Sequence, residues 1–324
     1  MSNLDQAPVV TVRGGLQRVS AEPVHEVLTA RTVQLGESTQ VRRLLPNIHR
    51  RMVGAWCFVD HYGPDDISDG TGMQVAPHPH SGLQTLSWLH EGEVLHRDSV
   101  GSVATVRPYE LGLMTAGHGI AHSEQSPVEH PSLLHGAQLW IALPDARREV
   151  QPAFEHHVAD ELPVVGTNNG LKATLMLGGF DGAESPGTAY TPIVGIDVAL
   201  NAGAGGRLPL EPDFEYAALA MTGRVEVDGV PIEPGTMLYL GCGRDYLGLR
   251  SSEGGAVMLL GGEPFEEEIV MWWNFIGRTG EEVAGYREAW QAGQRFGEVH
   301  GYEGARLDAP PLPGVPLKAR GRVR

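Results

Sequence analysis

The chain has 324 residues, a formal net charge of −16, 43 glycines, 23 prolines and two cysteines. That length accommodates two domains with real cores, and the acidic surplus argues against direct nucleic-acid binding, which needs a basic face. Cys57 and Cys242 lie one in each half and imply no disulfide framework, while no apolar window approaches the length of a membrane span and no signal segment follows Met1. The expectation is a soluble, cytoplasmic protein without membrane attachment.

Frequent glycine and proline with few long charged stretches predict many short strands and tight turns, an all-β chain rather than a helical bundle. Residues 1 to about 25 are polar and read as an arm. Residues 27–35 and 39–45 read as paired strands, and 54–64 as a buried strand leaving by a Gly-Pro turn. Strands recur at short spacing up to residues 139–144, a looser segment follows through Glu155-His156-His157 and Asn168-Asn169-Gly170, and strands resume at 191–200. The basic run 318–324 reads as a disordered end.

Two stretches carry chemistry. Pro77-His78-Pro79-His80 and His122-Ser123-Glu124 each place two potential ligands at i and i+2, a spacing that turns both side chains to one face of a strand. Two such strands facing one another bring three imidazoles and one carboxylate to a point, a donor set for a divalent metal with open positions, iron above all. Pro77 and Pro79 cannot donate to a ladder, which stiffens the first pair and assigns it to a strand start or an edge. Residues 83–89 continue an alternating run into the Glu91-Gly92 turn, and His122 follows the bend Gly117-His118-Gly119.

The second half repeats the first in worn form. Gly92-Glu93-Val94, Pro108 and the run 113–117 are echoed by Gly223-Arg224-Val225, Pro234-Gly235 and 238–241, as internal duplication of a β unit would leave them. Counted from these glycines, the places of His78, His80, His122 and Glu124 fall on Pro209, Glu211, Tyr246 and Gly248. One metal per chain is therefore expected, with the copy as scaffold or partner surface.

The runs His78-Pro79-His80-Ser81-Gly82, Met114-Thr115-Ala116-Gly117-His118-Gly119-Ile120-Ala121-His122-Ser123-Glu124 and Trp56-Cys57-Phe58-Val59-Asp60-His61-Tyr62-Gly63-Pro64 resemble the pirin branch of the cupin superfamily, over roughly residues 25 to 295. The resemblance implies two jelly-roll-like cupin β-barrels with a short C-terminal helix: a metal-binding barrel over 25–150, a ligand-free barrel over 151–300, and arms over 1–24 and 301–324. It implies one Fe(II), or another divalent metal, on His78, His80, His122 and Glu124, with residues 269–275 and a helix near 279–293 packing back across the domains. Many cupins place a glutamate four residues after the second histidine. Here that residue is Gln84, which is either a hydrogen bonder to the ligands or a plain strand residue, and His118 belongs to the rim rather than the ligand set.

Three imidazoles and one carboxylate leave a divalent iron with one net positive charge and, at six-coordination, two open positions for dioxygen and an oxygen-donor substrate. Glu124 is the candidate catalytic base for a substrate hydroxyl. The resemblance implies quercetin 2,3-dioxygenase activity on a small, aromatic, flavonol-like substrate. It equally implies, as a second reading, an iron-dependent sensor or coregulator that binds a protein partner. Glu266-Glu267-Glu268 reads as a solvated run and 203–206 as a turn. Cys57, Trp56, Phe58 and Trp140 read as core, and Trp88 is left between core and pocket wall.

Overall fold

A computed structural model describes residues 11–13, 22–35 and 39–317. It consists of two β-barrels, each built from a large and a small antiparallel sheet. In the first barrel the large sheet runs, in spatial order, Ala153–His157, Leu111–Thr115, Leu83–Glu91, Leu133–Ala142, Trp56–Asp66, Thr39–Leu45, Arg31–Leu35. Its small sheet runs Gln74–His80, Ile120–Gln125, Val94–Asp98, Val103–Val106. The second barrel repeats this order strand for strand: Glu26–Thr29, Thr236–Gly241, Glu215–Gly223, Gly255–Gly262, Ile193–Leu200, Leu171–Phe180, Val164–Asn168 in the large sheet, and Gly205–Pro209, Tyr246–Arg250, Val225–Val227, Val230–Ile232 in the small. The duplication inferred from scattered glycines is thus a duplication of topology.

Two edge strands depart from the boundaries expected at residues 25 and 150. The stretch 27–35 breaks at Ala30: Arg31–Leu35 pairs with Thr39–Leu45 as expected, but Glu26–Thr29 crosses to the second barrel and pairs with Thr236–Gly241. Ala153–His157 stays with the first barrel beside Leu111–Thr115. Alternation of apolar residues sets which face of a strand is buried, and says nothing about which sheet supplies its neighbour. Both strands fill the same place, the outer edge of a large sheet.

The expected arms also carry structure. Thr11–Arg13 pairs antiparallel with Ile269–Trp272. Within 301–317, the Leu307 amide donates to the Pro77 carbonyl at 2.8 Å, and the Leu307 carbonyl accepts from Trp290 Nε1 at 2.8 Å. The basic run 318–324 lies outside the described residues. The one α-helix among them, Gly280–Gln291, starts at Thr279, whose side chain accepts from the Glu282 amide, with Glu281 and Glu282 in its first turn. It buries Val283, Tyr286 and Trp290 against Trp272, Trp273 and Phe275. No helix among the described residues is long and apolar enough to cross a membrane.

The large sheets face one another across a continuous apolar layer in which Trp56, Leu86 and Trp88 of the first barrel join Met176, Leu219 and Met258 of the second. Trp56 Nε1 donates across it to the Gly261 carbonyl at 3.1 Å, and His90 Nε2 meets Asp197 Oδ1 at 2.8 Å. The second barrel is filled by a separate cluster that includes Leu175, Val198, Leu208, Leu238, Leu247 and Leu259. The inside of the first barrel, by contrast, holds a group of buried polar side chains that includes His78, His80, Ser87, His122 and Gln138.

Candidate metal centre

Gln74–His80 and Ile120–Gln125 lie antiparallel with His78 opposite His122, so the period-two alternation of each strand turns His78, His80 and His122 inward together. One ring nitrogen from each falls within 4.8 Å of the other two, and the ring centroids are 4.4 Å apart for His78 and His122 and 5.0 Å apart for His80 and either neighbour. The edge position of Gln74–His80 explains its prolines: neither owes the sheet a donor, and the Pro77 carbonyl is met by Leu307. Two glycines hold the bends. Gly82 (φ +71°) approaches the Ile276 carbonyl where a Cβ would sit 2.2 Å from the oxygen, and Gly117 (φ +51°) approaches the Val150 carbonyl, where a Cβ would sit 2.0 Å away.

Burial depresses the pKa of all three histidines, His78 to about 4 and His80 and His122 well below the ordinary value, so the rings are neutral near pH 7. Nε2 of each is buried without a hydrogen-bond partner. Three neutral imidazoles converging with unpartnered nitrogens form a donor set that could hold a metal ion, and a borderline divalent metal is what neutral imidazole nitrogens fit. In His78 and His122 the opposite nitrogen is in use. His78 Nδ1 contacts the Ala76 carbonyl at 2.8 Å, which makes it the N–H and frees Nε2 as a lone pair. His122 Nδ1 contacts His96 Nδ1 at 3.4 Å, and His96 Nε2 contacts Asp98 Oδ2 at 3.0 Å.

Glu124, two residues beyond His122, is also buried, but it is not among the side chains whose ligand atoms all lie within 4.8 Å of one another, which are His78, His80 and His122. The ladder to Gln74–His80 slips between His122 and Glu124, which brings Glu124 opposite Val75. Its Oε1 accepts from Ser87 Oγ at 3.2 Å, and Ser87 Oγ also lies 2.9 Å from Gln138 Oε1. Ser87 therefore faces the site from the large sheet. Trp140 closes another side, its ring 5.0 Å from His80 and nearly perpendicular, and stacked at 4.1 Å on Phe58. Behind Phe58 the buried pair Arg43 and Asp60 is joined by two hydrogen bonds of 2.8 Å.

Several expectations resolve differently. Gln84 donates to Thr115 Oγ1 and to the Thr188 carbonyl, each at 3.0 Å; three residues from Ser87 on one strand, it points to the opposite face, away from the imidazoles. Trp88 likewise faces the layer between barrels, edge-on to Tyr109. Trp140, read as core alone, is a wall of the site. His118 sits half-buried, 3.3 Å from Gln151 Oε1. Cys57 and Cys242 are buried and not joined in a disulfide, and Cys57 Sγ donates to the Trp140 carbonyl at 3.5 Å. Sequence reasoning passed over Ser87, Gln138, His96 and Asp98, although His96 and Asp98 repeat the same i,i+2 spacing. It also missed a second buried histidine group between the barrels, where His61 Nε2 and His135 Nε2 are 2.9 Å apart.

The echo positions behave instructively. Pro209 does pair with Tyr246, as His78 pairs with His122, but Tyr246 is exposed and the inward pair is Leu208 and Leu247. The count locates the right strands and misses their facing by one residue, enough to invert every side chain.

Two barrels of this strand order, the first with an inward histidine triad at the meeting of two small-sheet strands, define a bicupin. Residues 38–141 match the family model described as Pirin, and 195–297 the one described as Pirin C-terminal cupin domain. A Pseudomonas aeruginosa protein named "Putative quercetin 2,3-dioxygenase" is 47% identical over 88% of this chain and 90% of its own length. A Caulobacter vibrioides pirin-like protein is 41% identical over 83% and 93%. The crystal structure of a quercetin 2,3-dioxygenase from Acinetobacter baumannii superposes with a TM-score of 0.85 at 43% identity, covering 90% of this chain and 96% of that one. The chain belongs to the pirin family.

Proposed function

We propose that the protein is an iron-dependent dioxygenase acting on flavonol-like substrates, with His78, His80, His122 and Glu124 as the ligands of one Fe(II). The observation that carries this reading is the convergence of three neutral, buried imidazoles with unpartnered Nε2 atoms, with a buried carboxylate two residues further along the His122 strand. The names of the Pseudomonas and Acinetobacter relatives support the substrate class. A bound iron supplies Lewis acidity and the capacity to react with dioxygen. The chain supplies the rest: the Ala76 carbonyl fixes the His78 ring, and Trp140 walls off His80. Glu124, oriented through Oε1 by Ser87, takes the proton of a substrate hydroxyl.

The test is oxygen uptake with quercetin by protein loaded anaerobically with Fe(II). The loaded protein consumes oxygen and the apo protein does not. Glu124→Gln retains much of the metal, since an amide oxygen can still coordinate, and loses on the order of a hundredfold or more in turnover with the proton acceptor gone. Fully loaded wild-type protein that consumes no oxygen with any of several flavonols would overturn the enzyme reading in favour of an iron-dependent, partner-binding sensor.

A further inference from the structure

Behind His122 stands a chain of groups that no metal ligand set requires. Asp98 ends the strand Val94–Asp98, and its Oδ1 accepts from the Val100 and Ser102 amides at 3.0 and 2.9 Å. Its Oδ2 lies 3.0 Å from His96 Nε2, and His96 Nδ1 lies 3.4 Å from His122 Nδ1. His96 is itself held flat against Phe154, with centroids 3.9 Å apart and planes 8° from parallel. All three side chains are buried, at 4% exposure or less.

We propose that Asp98 and His96 are positioning residues that fix the direction of a hydrogen-bond chain ending on His122, so that His122 presents an Nε2 lone pair, and not an N–H, to the metal. The direction follows from what each atom can do. An ionised carboxylate only accepts, so His96 Nε2 is a donor. The other nitrogen of a neutral imidazole is then an acceptor. With His96 uncharged, its Nδ1 is satisfied by His122 only if His122 Nδ1 carries the hydrogen. His122 Nε2, buried and without a partner, is left as the lone pair. The turn contacts of Asp98 anchor the carboxylate, which by itself would be only a hairpin end; the second oxygen converts that anchor into a setting of tautomer two residues away in space. His78 reaches the same state through one backbone carbonyl.

This inference rests on the metal-binding reading for its purpose, but its first test is independent of metal. Long-range proton–nitrogen NMR of the apo protein with ¹⁵N-labelled histidine reads the tautomer of each ring near neutral pH. His122 is expected as the Nδ1–H form, and an Nε2–H form in wild-type protein overturns the proposal. Asp98→Asn keeps the size and one acceptor for the turn amides while offering His96 a donor, which reverses the chain and moves the His122 hydrogen to Nε2. Its affinity for Fe(II) and for Ni(II), measured by chelator competition, should fall about 10- to 100-fold, the usual effect of losing a group that orients a metal-bound histidine. A folded Asp98→Asn protein with wild-type affinity and an unchanged His122 tautomer would also refute the chain. Wild-type protein that binds neither ion overturns the metal reading, while the tautomer measurement still decides the direction of the chain.

Discussion

The two barrels share one strand order and differ in what they put inside it. In the first, the small-sheet strands turn His78, His80 and His122 inward, and the facing large sheet contributes Ser87, Gln138 and Trp140. In the second, the corresponding interior is Leu208, Leu247 and Leu249 with Leu238 and Leu259, and Ser87, five residues before its turn glycine, is answered by Ala218, five before Gly223. The scaffold therefore does not need the polar set, since an apolar filling closes the same topology. What the first barrel gains in chemistry it gives up in packing: buried imidazoles and a buried carboxylate cost desolvation that leucines do not.

The contrast breaks most completely at the ligands. His122→Ala, and equally His78→Ala, should take metal content from one ion per chain to near zero by elemental analysis, while circular dichroism of the apo protein stays unchanged; a fully occupied variant would remove that residue from the ligand set. The reverse experiment installs the costly feature in the plain barrel. Leu247→His should destabilise by about 2–4 kcal/mol in denaturant titration, as an imidazole replaces a packed leucine with no partner to satisfy it, and should bind no second ion.

The layer between the barrels responds to acid more gradually. Burial, with Arg42 and neighbouring imidazoles adding to it, pushes His61 down to about 2, and burial with His90 and Arg42 pushes His135 to about 4. A histidine whose folded pKa lies below its unfolded value, about 6.5, is protonated in the unfolded chain first. Stability is then intact above pH 7 and declines as pH falls from about 6.5 toward 4. Thermal melts across that range, with His135→Gln flattening the decline, check the assignment. The smallest effect belongs to Pro209→His with Tyr246→His. These place imidazoles at the echoed positions on the outer face, where stability should stay within about 0.5 kcal/mol and no ion should be held.

The inward histidine triad could be read from the sequence because a strand's period of two fixes side-chain direction from spacing alone, and Pro77 and Pro79 announced an edge. His96 and Asp98 obey the same rule and were equally readable, but their partner is one imidazole removed from the metal, a relation visible only once Val94–Asp98 lies beside Ile120–Gln125. Gln84, Ser87 and Trp88 share one strand, and their division between two faces was decided by which of them met the site. Pairing partners were the illegible part. Nothing in the residues 26–29 or 153–157 distinguishes one large sheet from the other, and the one-residue phase difference behind Leu247 leaves no mark on composition.

The crossing of Glu26–Thr29 bears on how the protein is made. This strand leaves the ribosome roughly two hundred residues before its partner Thr236–Gly241. The barrel with the histidine triad completes its large sheet as soon as residues 153–157 emerge, and its three imidazoles are assembled by then. The second barrel must wait for Gly255–Gly262 and then close over a segment synthesised about two hundred residues earlier, a loop closure of very long range that slows folding. Once made, that closure ties the two halves of the chain together like a clasp, so a cut at the linker after residue 157 leaves the first barrel's large sheet whole and strips an edge strand from the second.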